Sequence, residues 1–281
     1  MKQFANLSLA FALTVSSLSM CGQNAKYPFE VNISGKGSHS IIFIPGFGCS
    51  GKVWDETRSG YEKDFTCCTL TMAGFAGTPA DSNPSFQSWE KGIADYIQQN
   101  KINKPIIIGH SMGGDLALAL AADYPDLVSK IIVVDALPCL TATRDSTFKS
   151  KDTINCNKMI SMMTSMAAPQ FYYMEKYMIS TMVADTSKSE QIVQWMVKSD
   201  RKTLGELFCE LINLDLRNKI SSIKCPALIL LEPSFADSKP DMVKQYANLK
   251  TVNLQYATKG LHFIMYDDAT WYNEQLSAFL K

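Results

Sequence analysis

The tightest constraint on the fold lies near the middle of the chain, where Ile106-Ile107-Ile108 runs straight into Gly109-His110-Ser111-Met112-Gly113-Gly114. Three consecutive β-branched residues read as a strand buried on both faces, the pattern of a parallel strand covered by helices. From Met112 to about Tyr124 the chain is rich in alanine and leucine and reads as a helix. One sharp turn must therefore join strand to helix, with a serine at its apex and glycines on both sides where backbones come close. A serine so placed exposes its hydroxyl beside a helix amino terminus, where free N–H groups and positive potential gather.

The same alternation extends along the chain. Short apolar runs at residues 41–44, 67–71, 106–108, 131–134, 227–231 and 252–256 predict strands, and helical patterns fall at 89–100, 112–124 and 269–280. Strands alternating with helices predict an α/β fold with a doubly wound, mostly parallel sheet. The alternation lapses over residues 140–224, where apolar residues recur at helical spacing and methionines abound. That segment predicts a helical insertion between two strands, dividing the molecule into a core of 23–139 and 225–281 and a cap of 140–224. The methionine stripe is expected chiefly to pack those helices together.

Composition narrows the function. With 46% hydrophobic and 19% charged residues the chain can build an ordinary packed core. Its 27 basic residues balance 27 acidic ones without a Lys/Arg cluster, which argues against a nucleic-acid partner. The three histidines, His39, His110 and His262, form no i,i+4 pair, and the cysteines form no Cys-x-x-Cys pair, so no metal site is expected. At the amino terminus, Lys2, an apolar run from Leu7 to Val15 and small residues near Gly22 have the layout of a secretory signal peptide over residues 1–22. Leu18-Ser19-Met20-Cys21 is similar to a lipoprotein processing site, although Met20 departs from the usual small residue. Soluble export to the periplasm or medium and a lipid anchor at Cys21 both stay open. Eight cysteines are many for a reducing compartment; most read as small buried hydrophobes, with Cys139–Cys156 as a candidate bridge.

On these residues the chain resembles the α/β-hydrolase family over about residues 38–281. The glycine-bracketed serine is similar to the family's nucleophile elbow. Ile41-Ile42-Phe43-Ile44-Pro45-Gly46-Phe47-Gly48 resembles its early strand and oxyanion loop, and Ala73-Gly74-Phe75-Ala76-Gly77-Thr78 resembles a following glycine-rich turn. Gly260-Leu261-His262-Phe263 resembles the segment that carries the family's histidine.

A serine hydroxyl needs an adjacent base to act as a nucleophile at neutral pH. His110 adjoins Ser111 and should turn away from its hydroxyl, and His39 precedes the first motif strand, which leaves His262 as the base. Two aspartates compete to orient it: Asp135, ending the strand 131–134, and Asp237, beyond the strand 227–231. Asp135 is preferred because Asp237 sits one residue off the family's spacing to a proline at Pro240; Glu232 is a third candidate. The resemblance assigns oxyanion donation to the backbone N–H groups of Phe47 and Met112. It implies a cofactor-independent serine hydrolase that cleaves an ester or related acyl bond of a small molecule with an apolar moiety. Carbon–carbon hydrolysis or perhydrolysis could use the same residues, and an exported binding protein on the same scaffold is the non-catalytic alternative.

Overall fold

The computed structural model describes residues 27–281. The expected signal segment and Cys21 lie outside the described residues. Seven strands form one sheet: β1 (Phe29–Ser34), β2 (His39–Ile44), β3 (Phe65–Met72), β4 (Ile106–His110), β5 (Lys130–Val134), β6 (Ala227–Leu231) and β7 (Val252–Tyr256). Their spatial order is β1-β3-β2-β4-β5-β6-β7, and every pair is parallel except β1 with β3. The helices follow in chain order as α1 (Asp55–Ser59), α2 (Phe86–Gln99), α3 (Met112–Asp123), α4 (Asn157–Ser165), α5 (Ala168–Ser180) and α6 (Thr186–Lys198). They continue as α7 (Arg201–Asn213), α8 (Ser234–Asp237), α9 (Lys239–Gln245), α10 (Ile264–Asp267) and α11 (Ala269–Leu280).

The apolar runs make this architecture because consecutive strand residues feed opposite cores. Ile42, Ile44 and Ile107 pack with Trp89 and Ile93 of α2 and with Leu116 and Leu120 of α3. Ile41, Phe43 and Ile108 point the other way, towards Trp54 and towards Tyr272 and Leu276 of α11. All five residues of β4 and of β6 are buried, as central parallel strands require. Almost every residue of α3 is buried too, which explains its alanines: bulkier side chains all round would hold it away from the sheet. β1 lies outside the sequence reading. Its Phe-Glu-Val-Asn-Ile-Ser pattern alternates, as suits an antiparallel edge strand, and lacks the continuous apolar run that marked the others.

Between β5 and β6 the chain leaves the sheet for four helices, α4 to α7, which lie over its carboxyl edge. Cys156, just before α4, is bonded to Cys209 of α7. This corrects the expected Cys139–Cys156 pairing. Cys139 is a free, fully buried thiol on the stretch that follows β5. Cys156 opens a helix that packs on α7, so its partner is near in space although 53 residues distant in sequence. The approach of α4 to α7 is close at Gly205, where a Cβ would stand 2.6 Å from the Ile160 Cα.

The sheet places its crevice by topology. β3 lies on one side of β2 and β4 on the other, so the direction in which successive strands are added across the sheet reverses there, and ligand sites of open α/β sheets form beyond the carboxyl ends at such a point.

A peptide map under non-reducing conditions should join Cys156 to Cys209 and leave Cys139 unlinked. Closing a loop of this length corresponds to roughly 4 kcal/mol in the chain-entropy model. Urea unfolding of the Cys156→Ser/Cys209→Ser variant should show a loss of up to that size; stability equal to wild type would contradict a formed bridge.

Candidate active site

Ser111 follows the last residue of β4 with φ 51° and ψ −126°, and α3 starts at the next residue. A side-chain-bearing residue in this left-handed region stores on the order of 1–3 kcal/mol of strain, tolerated only where the surroundings enforce it. Here the Ser111 N–H donates to the Val134 carbonyl at 2.9 Å, and the Ser111 carbonyl accepts from the N–H groups of Gly114 (2.7 Å) and Asp115 (3.1 Å). Gly113 completes the turn: a Cβ there would stand 2.4 Å from the Ile44 carbonyl oxygen, so only glycine lets α3 begin against the end of β2. Asp135 repeats the device one strand over. It follows β5 with φ 51°, and its N–H donates to the Leu230 carbonyl at 2.8 Å.

Asp135 reaches His262, 127 residues later, through Oδ2 and Nδ1 at 2.6 Å. Its other oxygen, Oδ1, accepts the Glu232 N–H at 2.7 Å, and its side chain is 2% exposed. A carboxylate that accepts from Nδ1–H fixes the imidazole tautomer and leaves Nε2 as the basic nitrogen. Asp237 is exposed on the short α8 and takes no part in this contact. Glu232 contributes its backbone to Asp135, and its carboxyl accepts from the Ser234 hydroxyl. Burial raises the Glu232 carboxyl above the ordinary range against the pull of the Ser234 bond, and the Asp135 charge raises it further.

The loop that carries His262 is held at several points. His110 is buried, with its ring centred 4.6 Å from that of His262, and its Nε2–H donates to the His262 carbonyl at 3.0 Å. Burial first and His262 second push His110 well below the usual imidazole range, so it stays neutral and Nε2–H is its donor. Asp267 accepts from the N–H groups of Leu261 (2.8 Å), Ala184 (2.9 Å) and Asp185 (2.9 Å), and Phe263 N–H donates to the Met182 carbonyl at 3.1 Å. The histidine loop is thus stitched to the chain that leaves α5. His39, by contrast, is exposed at the amino end of β2, the opposite edge of the sheet.

Ser111, His262, Asp135 and Phe47 all line one cavity of about 510 Å³. Phe47 sits in the loop after β2 with its ring against Phe75 and Phe208 at 5.5 and 5.7 Å. Met112 is the first residue of α3, where a backbone N–H has no acceptor within the helix. The inserted helices roof the cavity with Met163, Met174, Met178, Met182 and Met196. The methionine stripe therefore serves both roles: Met159 and Met166 pack on the core, Met163, Met174 and Met196 pack on the core and also line the cavity, and Met162 is exposed. Sequence reasoning missed His110 as an anchor, since adjacency to Ser111 said only that it turns away. It also missed Asp267, for which no local pattern gave a signal.

A family model described as alpha/beta hydrolase fold matches residues 39–171. A pimeloyl-[acyl-carrier protein] methyl ester esterase of Wigglesworthia glossinidia brevipalpis is 25% identical over 203 residues, covering 72% of this chain and 76% of that protein. Among solved structures, an enol-lactonase from Burkholderia xenovorans LB400 superposes with a TM-score of 0.73 at 14% identity, covering 90% of this chain and 96% of the other. An esterase from Exiguobacterium antarcticum gives the same TM-score at 17% identity, over 89% and 94% of the two chains. With a parallel sheet of matching form and a glycine-bracketed serine at its carboxyl edge, the chain has the α/β-hydrolase fold, and the relatives it matches carry the names of esterases and hydrolases.

Proposed function

We propose that the protein is a serine hydrolase that cleaves a carboxylic ester or related acyl bond through a covalent acyl-enzyme, without a cofactor. The observation that carries this reading is the 2.6 Å contact between His262 Nδ1 and Asp135 Oδ2 in the cavity that Ser111 also lines. In this mechanism Ser111 Oγ attacks the substrate carbonyl while His262 Nε2 takes its proton. Asp135 holds the ring and stabilises the imidazolium. The tetrahedral oxyanion accepts from the backbone N–H groups of Phe47 and Met112, each worth on the order of 3 kcal/mol of transition-state stabilisation. His262 returns the proton to the leaving alcohol, and the C–O bond to it breaks. A water then gives its proton to the same nitrogen and attacks the acyl carbon, releasing the acid and restoring Ser111.

The five methionines over the cavity support a substrate with an apolar part, since thioether side chains adapt to irregular apolar shapes. The names of relatives, a methyl ester esterase and an esterase among them, are consistent with ester chemistry. We also place the enzyme outside the cytoplasm. The apolar stretch near the amino terminus and the Cys156–Cys209 bridge both support export.

On a panel of nitrophenyl esters, Ser111→Ala should lower kcat/KM by at least about a thousandfold. Asp135→Asn should cost at least about a hundredfold through the wrong His262 tautomer, and Asp237→Asn less than about twofold. Full activity in Ser111→Ala, or a loss confined to Asp237→Asn, would refute the assignment. His110→Phe removes the donor to the His262 carbonyl and should lower kcat by about tenfold while KM moves little. An unchanged kcat would show that this bond does not position the base.

A further inference from the structure

One buried carboxyl in the cavity has no part in the mechanism above. Glu175, in the third turn of α5, is 5% exposed and lines the cavity between Met174 and Met178. Among the described residues no hydrogen bond or ion pair reaches its carboxyl. The one cation that acts on it, Arg201 of α7, is engaged elsewhere. Arg201 donates to the carbonyls of Met163 and Met166, and its guanidinium lies 4.1 Å from the centre of the Phe171 ring. Burying an acid among apolar side chains without a partner strongly disfavours its ionised form, and proteins rarely leave such a group unmatched. The natural place for the missing partner is the cavity itself.

The charges around the cavity indicate what that partner is. Asp115, Asp135, Glu175 and Glu232 all line it, and among the described residues no lysine or arginine does. Asp115 is a second carboxyl outside the mechanism; burial raises it well above the ordinary range, and its Oδ1 has no partner among the described residues. A cavity walled by acids and methionines favours a cation with an apolar stem and disfavours a free carboxylate. We propose that Glu175 selects substrates bearing a protonated amine on the portion that lies beneath the inserted helices. This specificity rests on the serine-hydrolase reading of the same cavity. The ammonium would donate hydrogen bonds to the Glu175 carboxylate while its alkyl stem packs on Met174 and Met178. No bond is made or broken at this contact; it adds binding energy at a distance from the scissile carbonyl.

The preference carries its own pH signature. Burial raises the Glu175 carboxyl to about 7, moderated by Arg201. Above that value the residue is charged and attracts an ammonium; below it the residue is neutral and discriminates less. The other titratable groups facing this region are Cys49, buried beside the loop after β2 and pushed up to about 12, together with Asp115, Asp135, Glu232, His110 and His262. On α6, packed against α5, the acid Glu190 bonds Tyr172 and faces solvent. Of these, His262 acts equally on every ester, so it cancels in a ratio of two substrates.

The test compares three 4-nitrophenyl esters of matched length: the heptanoate, the 6-aminohexanoate and the monoester of adipic acid. At pH 8 the wild type should have a kcat/KM for the ammonium ester at least about tenfold above that for the heptanoate, with the carboxylate ester lowest. The ammonium-to-heptanoate ratio should fall as pH drops through about 7, and Glu175→Gln should reduce it at least tenfold and flatten its pH dependence. A ratio unmoved by the substitution, or a wild-type preference for the heptanoate or the adipate, would overturn the proposal. Should Glu175→Gln fail to fold, thermal shifts of wild type and Ser111→Ala by hexylammonium, hexanol and hexanoate give the same reading. Hexylammonium should stabilise most, and equal shifts would contradict the assignment. Those binding shifts also separate the two claims. Loss of hydrolysis of all three esters together with no fluorophosphonate labelling would refute the serine mechanism, whereas labelling without charge preference would refute only the role of Glu175.

Discussion

The geometry of the candidate active site depends on a parallel hydrogen-bond ladder that does not stop where the strands do. Ser111 and Asp135 follow adjacent strands, and both hold a left-handed backbone that side-chain-bearing residues rarely adopt. Each is fixed by donating its N–H to the next strand over, Ser111 to Val134 and Asp135 to Leu230. The ladder continues to the far edge, where Ala257 N–H donates to the Leu231 carbonyl and starts the path to His262. Ser111, Asp135 and His262, far apart in the chain, are therefore brought to one edge by one device. Strain at two of them is offset by bonds that the sheet core makes unavoidable.

The proposed base, His262, is held from three directions. Asp135 orients the His262 ring, His110 holds its backbone, and Asp267 ties its loop to the chain leaving α5. The last link joins His262 to the methionine-lined roof, so the segment that roofs the cavity also bears on the loop that carries His262. Phe47 makes a matching connection on the other side, with its ring against Phe208 of α7. The disulfide between Cys156 and Cys209 fastens α4 to that same helix. The inserted helices and the sheet are thus coupled through the site as well as around it, where the Phe86 N–H donates to Glu210 and the Asp200 N–H to the Gly74 carbonyl.

How much of this could be read in the sequence depends on how local each signal was. The parallel strands were legible because a continuous β-branched run suits a strand covered on both faces and little else, and the Ser111 turn because glycines at 109, 113 and 114 bracket it. β1 was not, since its alternating pattern is the signal of a half-exposed edge rather than of a buried strand. Asp135 and Asp237 could be ranked but not separated without geometry: both follow strands, and only the fold turns one towards His262. The bridge was misassigned for the same reason, because Cys139 is closer to Cys156 in sequence and Cys209 is closer in space. Glu175 stood inside a helical pattern with nothing to mark it; its meaning comes only from the cavity it faces.

The most direct measurement of whether these residues act together is a crystal structure of the protein after reaction with an alkyl fluorophosphonate. The geometry requires phosphorus bonded to Ser111 Oγ, with a phosphoryl oxygen about 2.7–3.1 Å from the backbone nitrogens of Phe47 and Met112. His262 should lie beside the adduct with its contact to Asp135 intact. Folded protein that stays unmodified, or a phosphonate carried by any other side chain, would contradict the central claim.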